Sequence, residues 1–189
     1  MLGIPTIVSD ALERSNRADF KMSSELEVGK LLAVLASSVQ MGGRILEIGT
    51  GIGLGTAWLV AGLGSRTDVE LVTVEVDVSI SNIARGYNWP DWVSFRVGDV
   101  LDMYDDLGKF NLIFSDAQGG KWVGLDLTIK ALKAGGLLAV DDMTPKKWNS
   151  ENHKKQTEQV RKTLMSHPEL QSCELATSSG IILSSKVVV

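Results

Sequence analysis

Cysteine is nearly absent: Cys173 stands alone in 189 residues, so no internal disulfide framework holds this chain together and a disulfide-stapled secreted fold is excluded. No apolar run approaches the ~20 residues that a membrane helix needs, which excludes a spanning segment. The start of the chain lacks a basic stretch, an apolar core and a small-residue cleavage site, so a cytoplasmic location is expected. Basic charge is also short. Lys and Arg number 19 against 23 Asp and Glu, a formal charge of -4, the wrong sign for a general nucleic-acid surface. One stretch dissents, with Lys146, Lys147, Lys154, Lys155, Arg161 and Lys162 against Glu151 and Glu158; it reads as a solvated helix face and loop. The two histidines, His153 and His167, fall in or beside that polar tract and are expected at the surface. Neither zinc-ligand spacing nor a serine nucleophile elbow occurs.

What is present suits one globular domain, residues 1–189, with 44% hydrophobic content and enough chain for a three-layer core. Residues 1–20 show little periodicity and read as an N-terminal segment ahead of a core at 21–189. Ser24-Glu25-Leu26-Glu27 offers a capping box in front of Val28, Leu31, Leu32, Leu35 and Val39, which share one helical stripe. Strand-like runs then cover 44–48, 70–76, 93–97, 111–115 and 136–140, separated by helical stretches at 55–63, 78–87, 100–107 and 122–133. That alternation predicts an α/β fold with a mostly parallel sheet between helical layers. Beyond a helix at 151–166, strands at 170–176 and 180–188 lie too close for a parallel crossover and must form an antiparallel hairpin.

The most informative segment is Arg44-Ile-Leu-Glu-Ile-Gly-Thr-Gly-Ile-Gly-Leu-Gly55, an apolar run opening into glycines and then a helical pattern. Glycine lets backbone N–H groups approach a ligand at such a turn. The dinucleotide spacing G-x-G-x-x-G ends on Leu54, Thr56 or Trp58, depending on the starting glycine, so no frame fits NAD. Glu47-Ile-Gly49-Thr50-Gly51-Ile-Gly53 instead resembles motif I of class I S-adenosylmethionine-dependent methyltransferases. The resemblance implies a Rossmann-like three-layer sandwich with strand order 3-2-1-4-5-7-6, and an acid at Glu47 that helps to hold the cofactor's cationic aminoacyl end.

Ligands in open α/β sheets bind beyond the carboxyl ends of the strands, and that rule selects the other candidates. Glu75 stands where the family places the acid that takes both ribose hydroxyls, and paired acceptors suit a vicinal diol. Asp77 reads better as a helix N-terminal acid. Gly98-Asp99-Val100 resembles the family's Gly-Asp-Ala against adenine, while Asp99 also reads as an N-cap; the two roles can coexist. Phe110-Asn111-Leu-Ile-Phe-Ser-Asp116-Ala117 and Gly135-Gly136-Leu-Leu-Ala-Val-Asp141-Asp142 are similar to segments of the cation-dependent O-methyltransferases, the catechol and caffeoyl-CoA group. Met22 and Ser23 resemble that group's cofactor-covering segment.

Within that group the resemblance implies a divalent cation, Mg²⁺ or another, held by Asp116, Asp141 and Asp142, a ligand set that suits a hard cation. Two departures stand out: Asp141-Asp142 replaces an Asp-Asn pair, and Gly119 replaces a lysine, with Lys121 two places later. Two readings follow. Either a cation lowers the acceptor's pKa, or Asp116 faces the transferred methyl, Asp142 caps a loop and Lys121 takes the proton. Among the tryptophans, Trp58 reads as core, while Trp122 and Trp148 are acceptor walls or packing anchors.

The expected function is therefore S-adenosylmethionine-dependent O-methylation of a small hydroxylated acceptor by a homodimer, with no membrane or nucleic-acid partner. One rival is an N-methyltransferase on the same fold. Against it, Ser115-Asp116-Ala117-Gln118 replaces the Pro-Pro-aromatic turn usual after the fourth strand in enzymes acting on base amino groups. The other rival is a cofactor-binding protein without catalysis.

Overall fold

The expected apolar runs become β1 (Arg44–Ile48), β2 (Glu70–Glu75), β3 (Val93–Val97), β4 (Phe110–Ser115), β5 (Leu132–Val140), β6 (Leu170–Leu175) and β7 (Ile181–Lys186). In the computed structural model, which describes residues 3–146, 150–176 and 178–187, they form one seven-stranded sheet in the order β3-β2-β1-β4-β5-β7-β6. Pairing is parallel from β3 through β5 and antiparallel for β5 with β7 and β7 with β6. The expected strand order and terminal hairpin are both present.

β1 shows why the sheet needs cover on both sides. Ile45 faces one apolar cluster with Trp58, Leu59 and Phe114, while Leu46 and Ile48 face a second with Val72, Ile113 and Val140. Alternation along the strand sends successive side chains to opposite faces. Glu47 therefore points to the same side as Ile45. That side is covered by α1 (Thr6–Arg17), α2 (Leu26–Ser37) and α3 (Leu54–Leu63), and the other by α5 (Tyr104–Leu107), α6 (Leu125–Ala131) and α7 (Glu151–Ser166). α4 (Val78–Arg85) packs beside β2 and β3, with Asp77 accepting from the Ser79 and Ile80 N–H groups at 2.7 and 3.0 Å. Asp77 is an N-cap, as its position suggested.

α3 is apolar around its whole circumference because it lies between the sheet and two other helices. Gly29 of α2 sits directly against the Trp58 indole, and Gly62 of α3 against the Ala33 backbone, so each glycine makes room for close helix packing. Trp58 is core, as expected.

Three expectations need correction. Residues 1–20 are not an unpatterned lead, because Thr6–Arg17 is a helix burying Val8 and Ala11 against α3. Its Ile7, Val8, Ala11 and Leu12 follow helical spacing over too short a span to stand out. The capping box does not form. Glu25 precedes α2 without a side-chain cap and accepts instead from the Ser178 hydroxyl and from Lys146 at 3.4 Å. Finally, α6 is shorter than expected and β5 starts at Leu132, with a register shift against β4 between Phe110 and Leu112. Gly120 and Gly124, both at positive φ, turn residues 116–124 into a loop that delays the helix.

Candidate active site

β1 is flanked by β2 on one side and β4 on the other, so the chain's crossovers diverge at its carboxyl end and leave a crevice there. The glycine turn fills the base of this crevice. Gly49 (φ 100°) donates its N–H to the Val74 carbonyl at 2.9 Å. A Cβ on Gly49 would lie 2.9 Å from the Asp116 carbonyl oxygen, so only glycine fits where β1 and β4 come together. Gly51 (φ 52°) donates to Glu75 Oε2 at 2.8 Å, with the Phe20 ring above it. Gly53 points elsewhere, towards the Trp89 ring and Ala84, and lines none of the cavities described below. The Thr50 side chain also turns inward, to Thr73 Oγ1 at 2.5 Å.

Beneath the turn lies Glu47, fully buried. Its Oε2 accepts from the Thr56 and Thr73 hydroxyls at 2.5 and 2.6 Å, whereas Oε1 has no partner. Burial pushes the carboxyl up to about 7, the two hydroxyls pull it back, and Glu75 adds to the rise. The orphan oxygen faces the space left by the missing Gly55 side chain, where a Cβ would overlap it. A buried acceptor under a glycine turn is what a cationic ligand group would satisfy.

Four cavities run along the strand ends. One of about 560 Å³ is lined by Glu75, Asp99, Val100, Ile48 and Gly49, and by Gln118 and Gly119. A second of about 380 Å³ shares Gly49 and Glu75 with it and adds Phe20, Met22, Asp116, Lys121, Trp122, Asp142 and His153. A third, about 360 Å³, continues past Met22, Ser23 and Asp116 to Asp141, Asp142 and Ser179. The smallest, about 20 Å³, separates Phe20, Met22 and Ser23 from the glycine turn. Within the row, Glu75 is tied by the Gly51 and Asp77 N–H groups, at 2.8 and 3.1 Å. Asp99 caps the 3-10 turn Val100–Asp102 by accepting from Leu101 N at 3.0 Å and still borders the largest cavity.

At the other end, Asp116 leaves β4, Asp141 and Asp142 leave β5, and Lys121 enters from the loop between β4 and α6. The Lys121 side chain is 5% exposed, and its Nζ lies 3.7 Å from both Asp116 Oδ1 and Asp142 Oδ2. It also donates to the Asp141 carbonyl at 3.3 Å. The Asp141 carboxylate is engaged with the Ser179 hydroxyl and the Asp142 N–H. Asp142 has φ 60°, a costly backbone for a non-glycine residue and one that recurs at functional sites. Burial raises the Asp116 carboxyl well above the usual range, with Lys121 opposing the rise and Asp141 and Asp142 adding to it. Asp141 is raised too, by burial, against its bonds to Ser179 and Asp142.

A profile of the O-methyltransferase family matches residues 10–187. The chain belongs to that family. Among relatives of this O-methyltransferase-family chain, catechol O-methyltransferase of Mycobacterium tuberculosis is 31% identical over 151 residues, covering 76% of this chain and 67% of the relative. Across the curated relatives the matched share of their own length runs from 54% to 67%. The O-methyltransferase of Streptomyces achromogenes involved in tomaymycin synthesis, solved with S-adenosylmethionine, is 22% identical at a TM-score of 0.83, covering 100% of this chain and 92% of that one. The O-methyltransferase of Bacillus cereus, solved with S-adenosylhomocysteine, is also 22% identical at 0.83, covering 98% and 93%. At such identity the likeness is one of fold.

Of the expected site residues in this family member, the crevice gathers Met22, Ser23, Gly49, Gly51, Glu75, Asp99, Val100, Asp116 and Lys121. Glu47 lies beneath it, Thr50 borders its smallest cavity with its side chain turned to Thr73, and Gly53 lies apart. The expected cation site is not assembled. Among the described residues no cluster of three or more ligating side chains converges, because the Lys121 ammonium stands between Asp116 and Asp142 and Asp141 is turned towards Ser179. The same placement puts Lys121 Nζ within 3.7 Å of both Asp116 and Asp142. His153, expected at the surface, meets the Trp122 ring edge-on at 4.8 Å and lines two of the cavities. Phe20 was not singled out at all. Its carbonyl accepts from Ser15 Oγ at 3.0 Å and Ser15 also meets Ser23 Oγ at 2.9 Å, so α1 positions the covering segment. Only the helical spacing of α1 carried a signal for that. Trp148 lies outside the described residues.

Proposed function

We propose that this chain transfers a methyl group from S-adenosylmethionine to the oxygen of a small hydroxylated acceptor. The row of cavities carries the reading: neighbouring spaces share Gly49, Glu75, Met22 and Asp116, so two ligands can meet end to end at Asp116. The residues present fit the cofactor. The orphan Glu47 Oε1 and the glycine cradle suit its cationic aminoacyl end, Glu75 suits the ribose diol, and Asp99 suits the adenine amine. Bound there, S-adenosylmethionine supplies an electrophilic methyl group carried on a sulfonium.

The chain's own residues then orient and enclose. Trp122 and His153 form an aromatic corner beside Lys121 and Asp142, which suits a flat acceptor ring. The Lys121 ammonium steadies negative charge on the acceptor oxygen, and half-exposed Asp142 takes the acceptor's proton and returns it to water. Phe20 and Met22 cover the crevice and limit water, so positioning supplies much of the rate. The reading extends to a cytoplasmic homodimer, on the single unpaired Cys173 and on the family resemblance. Among the described residues no helix is long and apolar enough to cross a membrane.

Isothermal titration with S-adenosylhomocysteine tests the reading. The wild type binds it and does not bind NAD, and Glu75→Ala weakens it by about 1.5–3 kcal/mol, roughly 10- to 150-fold. Binding of NAD, or an unchanged dissociation constant in Glu75→Ala, sinks the assignment.

A further inference from the structure

The loop at residues 116–124 is built to hold one side chain inward. Gly120 at φ 82° donates to the Val123 carbonyl at 2.7 Å and Trp122 to the Gln118 carbonyl at 2.9 Å, which closes the loop and leaves Lys121 directed beneath it. The side chain is 5% exposed, and its ammonium reaches Asp116, Asp142 and the Asp141 carbonyl together. On the third carboxylate, Asp141 Oδ1 already accepts from the Ser179 hydroxyl and the Asp142 N–H.

We propose that the Lys121 ammonium stands where a divalent cation would have to stand, so that this site excludes Mg²⁺ and Ca²⁺ and the charge met by the acceptor oxygen is the ammonium itself. The proposal rests on the methyl-transfer reading only for the identity of that oxygen.

The physical reason is geometric and electrostatic. A hard dication needs several oxygens at about 2.0–2.6 Å. Here Asp116 Oδ1 and Asp142 Oδ2 each lie 3.7 Å from the ammonium nitrogen. A dication drawing them together would lie against a buried like charge. An ammonium differs from a metal in what it presents. It offers separate N–H donors, one of them held by the Asp141 carbonyl, whereas a metal offers open positions to a chelating pair. Gly119, at the position where the related group carries its lysine, fits the same picture, since a Cβ there would meet Asp99 and Val100 rather than Asp116, Asp141 or Asp142.

The test uses terbium(III), whose luminescence is excited through a nearby indole; the Trp122 ring centre is 5.8 Å from Lys121 Nζ. The wild type should show no saturable terbium signal, whereas Lys121→Met should bind terbium at least about tenfold more tightly, displaceably by Ca²⁺, and lose it in the Lys121→Met/Asp142→Asn double variant. Lys121→Gln serves as a second neutral variant should Lys121→Met fail to fold, as judged by circular dichroism. Saturable wild-type binding that Mg²⁺ displaces and Asp142→Asn abolishes overturns the proposal. Folded neutral variants that bind no better than wild type overturn it too. S-adenosylhomocysteine titration of the same wild-type sample is a separate readout: its failure removes the methyl-transfer reading and leaves the terbium result standing.

Discussion

Replacing Glu47 by glutamine should remove a specific pH dependence of stability. The carboxyl is fully buried, with one oxygen bonded to two threonine hydroxyls and the other without a partner. Burial lifts its pKa from 4.5 to about 7. The folded state therefore holds this proton more tightly than the unfolded chain does. Its stabilising contribution is full below the unfolded value of 4.5 and is lost as the pH rises through about 7. At about 1.4 kcal/mol per pKa unit, the loss amounts to about 3 kcal/mol. Glu47→Gln keeps the shape and an acceptor for Thr56 and Thr73 but cannot ionise. Urea unfolding of both proteins without ligand, from pH 5 to pH 8, reads the effect. The wild-type stability minus that of the variant should fall by about 2.5 kcal/mol across that interval, mostly below pH 7. Asp116 and Asp141 are also raised by burial, but they titrate in both proteins and largely cancel in the difference. A difference that stays level, or that grows with pH, refutes the burial argument.

Two further outcomes follow from packing and from the crevice wall. Gly62→Ala would drive a methyl group into the Ala33 backbone of the neighbouring helix, so it should cost about 1–3 kcal/mol despite the better helix propensity of alanine. A urea midpoint that is unchanged or raised at constant m would contradict that close approach. Trp122→Ala should lower methyl transfer by about tenfold or more, in a screen of hydroxylated aromatics with labelled cofactor, through lost positioning of the acceptor. Its S-adenosylhomocysteine affinity should stay near wild type; equal losses in both would place the ring on the cofactor instead.

How much of this was legible in the chain depends on the range of the interactions involved. Strand positions, the terminal hairpin and the glycine turn are set by local patterns: apolar runs, a linker too short for a crossover, and glycines at a strand end. Those patterns survive in one dimension, and so did the resemblance that led to the family. The N-cap role of Asp77 is equally local, since it needs only the next three residues. The side chains around the cleft are different. Whether Gly53 meets a ligand or Trp89, and whether His153 faces water or Trp122, depends on elements tens of residues away. The three aspartates and Lys121 make the clearest case. Composition alone allowed a metal centre or an ammonium-filled one, because carboxylates suit both. Only the folded loop buries one lysine and brings its Nζ within 3.7 Å of both Asp116 and Asp142. That placement is tertiary because Coulomb energy depends on distances and burial, and neither exists until the strand ends and the loop have been brought together.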